Sequence, residues 1–313
     1  MAVDPALAQG RGPEHRHRAR RRTRRDRRLG RRGGRDMSIL LSLGAALSYG
    51  LSDFNGGLFS RRGGAWAVSL LAQLGGTALV LVVVLFDGGS PHSTDLAWAV
   101  LAGVANGFGT AFLYRGLSSG RMGVVAPVSG VGSVLVPVVV GLLTGERPGS
   151  LVLLGVLLAF PAIWLVSREP VEGPTTGSGS GLGDGVLAGL GFGTLFAALA
   201  QIPEEAGFLP LALNQLVAGG AIILVATALR QPWLPRNRYA LGGLLSGVLG
   251  ALATGLFQVA TQQGYLTVAA VITSLYPAFT VMLAATVLRE HVHRTQALGL
   301  ALCAGAVVLV AAG

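Results

Sequence analysis

One carboxylate interrupts the first long apolar run of the chain: Asp53, in SYGLSDFNGG, stands four residues after Tyr49. In a helix that spacing puts both on one face, where the phenol reaches the carboxylate. An ionisable side chain inside a bilayer is costly enough to point to function, and here Asp53 would bind a cationic group or exchange a proton with a substrate. The competing reading is a carboxylate near the helix end that pairs with Arg61 or Arg62 or meets water. Its depth decides between them.

Polar side chains recur at helical spacing in other apolar runs. Asn106, Thr110 and Tyr114 fall at i, i+4 and i+8, and Thr254, Gln258 and Thr261 or Gln262 repeat the spacing further on. These stripes either line a shared cavity or hydrogen-bond across helices, for about 1 kcal/mol each. Gln73 and Gln215 are lone amides in matched contexts, with Asn214 beside the second; buried amides need partners, so they serve either a structural contact between two halves or a substrate. Pro127, Ser129, Ser133 and Pro137 in one run, and Thr273, Ser274, Tyr276 and Pro277 in another, mark bends, because proline frees a carbonyl that neighbours or cavity water must satisfy. Glu204 and Glu205 are read as lying in water between helices, and His291 and His293 form a lone HxH without a clear metal-ligand set. No P-loop, nucleophile elbow or HExxH helix occurs. The expectation is therefore no catalytic residues, no metal and no cofactor.

The elements that must position these residues are membrane helices. The 313 residues are 51% hydrophobic and only 12% charged, against about 25% charged in soluble domains. The 48 glycines suit membrane helices, whose backbones approach closely through small residues; Gly185, Gly189 and Gly193, and Gly103, Gly107 and Ala111, form stripes read as packing faces. The net charge of +10 resides in the first residues, since 13 of the 24 basic residues, all arginine, lie between Arg11 and Arg35. From Met37 onward 11 Arg face 10 acids, so no nucleic-acid partner is expected. Residues 1–36 lack apolar periodicity and read as a disordered tail. The tail is a polybasic anchor for anionic lipid, a nucleic-acid arm, or sequence upstream of a true start at Met37, and the last is favoured because MSILLSLGAALSYG reads as a natural beginning. Cys303, the lone cysteine, reads as a small packing residue.

A span needs about 20 apolar residues, and candidates run near 38–57, 65–86, 95–115, 122–143, 150–167, 183–203, 208–229, 239–262, 267–288 and 295–312. A Pro/Gly/Ser linker, 169–183, divides them into 37–168 and 184–313. The two parts match at a nearly constant offset: LLAQLGGTALVLVV with ALNQLVAGGAIILV (Gln73 on Gln215, 142), LAGVANGFGTAFLY with LSGVLGALATGLFQ (Thr110 on Thr254, 144), Glu146 with Glu290 (144), and Ser48-Tyr49-Gly50 with Gly191-Phe192-Gly193 (143). Five spans per copy is an odd number, so the second copy enters from the opposite side. Inverted repeats with a midplane site at their interface are a recurring architecture of secondary transporters.

With SYGLSDFNGG, RMGVVAPVSGVGSVLVPVVVGLLTGER and SLYPAFTVMLAATVLRE carrying the likeness over 38–313, the chain resembles the EamA-type permeases of the drug/metabolite transporter superfamily. The resemblance implies an all-α membrane protein of ten helices, two inverted five-helix repeats around a central cavity, alternating access, and carriage of amino acids, other metabolites or drugs. The expected protein is a multi-pass carrier, an exporter, in the plasma membrane, for a bacterium the inner membrane. Its partners are a small-molecule substrate and the lipid bilayer, and it acts as a monomer or homodimer. Helices 1, 3, 4, 6, 8 and 9 are expected to line the cavity. Substrate contacts are expected from Tyr49, Asp53, Gln73, Asn106, Thr110, Tyr114, Gln215, Thr254, Gln258, Thr273 and Tyr276, with Asp53 the coupling residue. A membrane scaffold or channel-like subunit is the alternative. Orientation stays open: short loops after odd-numbered helices hold ten Arg against one in the even loops, which favours termini outside, whereas an Arg-rich tail favours them in the cytoplasm.

Overall fold

The structure, a computed structural model, describes residues 13–118, 122–167, 182–287 and 292–313. Apolar stretches without water to pair their backbone fold as helices, and among the described residues there is no strand. The elements are α1 (Pro13–Gly63), α2 (Ala65–Val84), α3 (Ser93–Ser118), α4 (Met122–Leu143), α5 (Ser150–Ser167), α6 (Leu182–Leu199), α7 (Leu209–Ala228), α8 (Gly242–Gln263), α9 (Leu266–Thr273), α10 (Tyr276–Val287) and α11 (Arg294–Ala312), with short 3-10 turns at Glu204–Ala206 and Arg238–Leu241. Eight stretches among the described residues are long and apolar enough to cross a membrane, the stretch Leu266–Val287 counting as one, and Val128–Leu143 and Ser150–Val166 are shorter apolar helices. Large apolar side chains such as Leu40, Leu157, Leu224 and Val308 stay exposed on the outer faces, as acyl chains rather than water would require.

Where the sequence reads as a disordered tail, the helix α1 already begins at Pro13, and residues 1–12 lie outside the described residues. Arginine is a good helix former, and a helix already nucleated by an apolar span extends upstream at little entropic expense. The linker 169–183 lies outside the described residues as far as 181, as do Glu290 and His291.

Glycine sets how closely the helices pack. A Cβ at Gly189 of α6 would stand 2.9 Å from Gly132 Cα of α4, and one at Gly107 of α3 would stand 2.6 Å from the Ala218 carbonyl oxygen of α7. Both glycine stripes are thus helix–helix contact faces. The principal pairings are α1 with α8, α3 with α6, α2 with α8, α3 with α7, α4 with α6, α1 with α9 and α10, α2 with α7, and α5 with α11.

The helix ends group into two layers. In one, Arg35 Nη2 donates to the Ala311 carbonyl (2.6 Å) at the end of α11, and Asp87 accepts from Phe208 N (2.6 Å). In the same layer the Glu146 carboxylate accepts from Leu266 N and from Thr267 N (3.0 Å) at the start of α9, satisfying amides that a helix N-terminus leaves open. In the other layer Arg115 Nε donates to Asp184 (2.9 Å), and Asn237 donates to the Arg62 carbonyl (3.0 Å).

The ninth apolar stretch is broken. α9 stops at Thr273 and α10 starts at Tyr276, because Pro277 has no N–H to return to Thr273. Leu275 N instead bonds to Ile272 O (3.2 Å), a tightened turn. Ser133 Oγ of α4 lies 3.2 Å from Ser274 Oγ at this break. By contrast α4 continues through Pro137. His293 caps α11 with Gln296, whose Oε1 accepts from His293 N (3.0 Å), and Glu204 and Glu205 are exposed.

Candidate functional site

The polar residues singled out in the sequence converge on one cavity of about 70 Å³. That is about half the volume of an apolar cavity that holds benzene, roughly 150 Å³. Nine of the eleven expected site residues line it: Tyr49, Asp53, Gln73, Asn106, Thr110, Tyr114, Gln215, Thr254 and Tyr276.

Gln258 and Thr273 do not. Ser246, Gly250 and Thr254 lie one turn apart on the cavity face of α8. The next turn carries Gln258 beyond the end of the cavity, where it is buried beside the fully buried Phe257 and its Oε1 has no partner. Thr273 ends α9 before the break, and its hydroxyl bonds to the Ser42 carbonyl (3.5 Å), which leaves Tyr276 to reach the cavity. The expected role of the fourth helix also changes: among the described residues α4 contributes no lining side chain, while α2 supplies Ala72 and Gln73 and α7 supplies Gln215. The side chains of α4 before Val128 lie outside the described residues.

Asp53 is half-buried on α1. Among the described residues no cation lies within ion-pair distance of it, and Arg61 and Arg62 are exposed. The expected bond from Tyr49 to Asp53 is absent, because the phenol instead meets Thr254 Oγ1 at 2.7 Å. Thr254 Oγ1 donates its own proton to the Gly250 carbonyl (2.7 Å), so Tyr49 must be the donor in the shared bond. Tyr114, on α3, fits because residue 56 of α1 is glycine: a Cβ there would stand 3.0 Å from Tyr114 Cζ and closer still to the hydroxyl.

The amides form a chain. Thr110 Oγ1 donates to Asn106 Oδ1 (3.3 Å) and Asn106 Nδ2 donates to Gln215 Oε1 (3.1 Å), joining α3 to α7. A Cβ at Gly76 would stand 2.5 Å from Gln215 Nε2, so α2 leaves room for this amide. Asn214, one residue earlier, is fully buried with neither amide atom partnered.

Aromatic rings make the remaining wall. Tyr49 has ring centroids 6.0 Å from Phe196 and 5.9 Å from Tyr276, and the Tyr276 hydroxyl bonds to Ser129. Phe192, Leu195, Phe196, Ser52 and Ser246 were not singled out in the sequence. A signal for three existed: the offset that aligns Tyr49 with Phe192 also aligns Ser52 with Leu195 and Asp53 with Phe196, and all six line the cavity. The bond that Ser52 makes had none, since its hydroxyl goes to the Ser246 carbonyl (2.8 Å) on a helix 194 positions away.

Comparison with known proteins agrees with this architecture. The model of the EamA-like transporter family matches twice, over residues 36–168 and 180–312. A solved structure, titled only as a crystal structure of a protein, is similar with a TM-score of 0.67 at 16% identity, covering 88% of this chain and 96% of that one; at that identity the likeness concerns the fold. No curated protein matches the sequence significantly.

Proposed function

Since the chain belongs to the EamA-like transporter family of the drug/metabolite transporter superfamily, and so is a multi-pass membrane transport protein, we propose that it is an alternating-access secondary carrier exporting small metabolites such as amino acids or drugs. The observation that carries this reading is the cavity itself: a space with a carboxylate and several polar side chains on a largely apolar wall, made by α1, α2 and α3 of the first half and α6, α7, α8 and α10 of the second. Against the scaffold, this half-buried carboxylate has no cation partner among the described residues, and an ionisable group within a span is costly.

In this reading the chain makes ten crossings, 37–168 and 184–313 forming two inverted five-helix units joined by 169–183. The pairings support it, because α1 with α8 has its counterpart in α6 with α3, and α2 with α8 in α7 with α3. The layers support it as well. The start of the first span and the end of α11 meet through Arg35, as an even number of crossings requires, whereas Asp184 at the start of α6 meets Arg115 in the opposite layer. Rocking of one half against the other then exposes the midplane site to each side in turn. Asp53 is the coupling residue. The membrane is the plasma membrane, the inner membrane of a bacterium.

The test is counterflow in proteoliposomes, loaded with pooled amino acids, nucleosides, sugars or organic amines. Saturable exchange of one pool establishes a carrier. Silence across all pools with folded protein favours the scaffold, and pH-dependent transport unchanged in Asp53→Asn removes Asp53 from coupling.

A further inference from the structure

The hydrogen bonds of the cavity wall constrain the charge of what it holds. Ser52 donates to the Ser246 carbonyl (2.8 Å), Ser246 to the Gly242 carbonyl (3.4 Å) and Thr254 to the Gly250 carbonyl (2.7 Å). Tyr49 donates to Thr254. Each of these hydroxyls has one proton, and each proton is already committed to the protein, so what they present to a guest is oxygen lone pairs.

Among the described residues the lining contains no Arg, Lys or His, and its only ionisable group other than tyrosine is Asp53. A carboxylate guest would find no cation, only the neutral donors of the Gln73, Asn106 and Gln215 amides and the Tyr114 hydroxyl, and would lie close to another carboxylate. A guest with a positive, donor-bearing head finds the reverse.

The two halves also differ at one informative position. At the 143-residue offset that aligns Tyr49 with Phe192, Asp53 aligns with Phe196, and both line the cavity. One half supplies the charge and the other, at the equivalent place, a phenyl ring. The Tyr49 ring lies about 6 Å from both Phe196 and Tyr276; a cation within about 6 Å of such faces gains about 0.5–2 kcal/mol.

We infer that the substrate of this cavity is a small organic monocation, a protonated amine on an apolar or aromatic body, with its ammonium at Asp53 and its body against the rings. The inference rests on the carrier reading and narrows it: anionic metabolites are excluded, and zwitterionic amino acids bind poorly because nothing neutralises their carboxylate.

The test uses three probes that share a phenylethyl body against the full chain in nanodiscs: phenethylamine, 2-phenylethanol and 3-phenylpropionate, with phenylalanine as the zwitterion. Labelled phenethylamine binds saturably, the alcohol competes about tenfold or more less well, as loss of a charge-assisted hydrogen bond implies, and the propionate and phenylalanine do not compete. Asp53→Asn weakens amine binding at least about tenfold, and Asp53→Glu, which keeps the charge, restores part of it. Equal competition by propionate or phenylalanine overturns the inference, as does amine binding unaltered in Asp53→Asn. If that variant does not fold, the wild-type competition order decides alone. Counterflow separates the two readings: exchange of an anion or zwitterion without exchange of amine leaves the carrier standing and removes the amine, whereas Asp53-dependent amine binding without exchange of any compound keeps the amine site and removes the carrier.

Discussion

Substituting Gly247 by alanine tests the contact on which the cavity is built. Gly247 of α8 faces Ala72 of α2, and both line the cavity. A Cβ at Gly247 would stand 2.5 Å from the Ala72 carbonyl carbon and 2.7 Å from its Cα, and would overlap the carbonyl oxygen outright. These are backbone atoms that no rotamer change can move. Comfortable carbon contacts begin at about 3.5 Å, so the two helices must separate by about 1 Å or more. Overpacking of this kind costs about 1–3 kcal/mol, and the upper end applies because membrane helices associate through close packing rather than by escape from water. At about 2–4 °C per kcal/mol, a loss of about 3 kcal/mol lowers the melting temperature by about 6–12 °C, read by a thiol-independent thermal-shift assay in detergent. Gly103 is its equivalent in the repeat, at the α3–α7 contact, where the nearest atoms are the Val217 side chain (2.6 Å) and the Asn214 oxygen (2.7 Å). Because the overlap there is smaller, Gly103→Ala lowers the melting temperature by less. A Gly247→Ala protein with wild-type melting temperature and transport, or one more stable than Gly103→Ala, refutes the reasoning.

Three further outcomes follow from single contacts. Tyr49→Phe and Thr254→Val each remove the 2.7 Å bond between α1 and α8, so a double-mutant cycle on melting free energy shows coupling of about 1 kcal/mol; additive effects mean the bond does not form in the membrane. Glu146→Ala leaves Leu266 N and Thr267 N uncapped and costs about 1–2 kcal/mol, while Glu146→Gln, with one amide oxygen left, loses less, and equal stabilities of all three proteins count against the cap. Asp184→Asn removes the charge facing a half-exposed Arg115, whose guanidinium also lies 4.6 Å from the Phe112 ring centroid. The Asp184 side chain is only 14% exposed, and a part-buried pair is screened less than a surface one, so the loss is about 1 kcal/mol or more and persists in part at high salt; no loss at any salt means that the pair does not hold α3 to α6.

The lining of the cavity was more legible in the sequence than its wiring. Helical spacing put Asn106, Thr110 and Tyr114 on one face, and the repeat offset brought Gln73 with Gln215 and Thr110 with Thr254 to one cavity, because each signal is local or is copied between halves. The partner of Tyr49 was not legible. Asp53 lies one turn away and Thr254 lies 205 positions away, and only the α1–α8 packing makes the distant oxygen the nearer one. Gln258 followed the polar stripe of α8 but passed the end of the cavity, since spacing gives a face and not a depth. The break at Ser274–Leu275 was announced by Pro277, whereas Pro137 leaves α4 whole; a proline removes one hydrogen bond in either place, and the neighbours settle whether the helix steps aside.

The pairing of helices also decides how binding can act on motion. A ligand shifts a conformational equilibrium only by its difference in affinity between the states. The wall of this cavity joins α1, α2 and α3 to α6, α7, α8 and α10, and its hydrogen bonds run between halves: Tyr49 to Thr254, Asn106 to Gln215 and Ser52 to the Ser246 carbonyl. Any displacement of one half against the other therefore changes the distances around a guest and the bonds of the empty site together. A cavity confined to one half would move as a rigid body and feel neither. On the carrier reading, a guest lodged between Asp53 and the rings meets these cross-half contacts, so the energy it gains there is set against the bonds that hold the halves together.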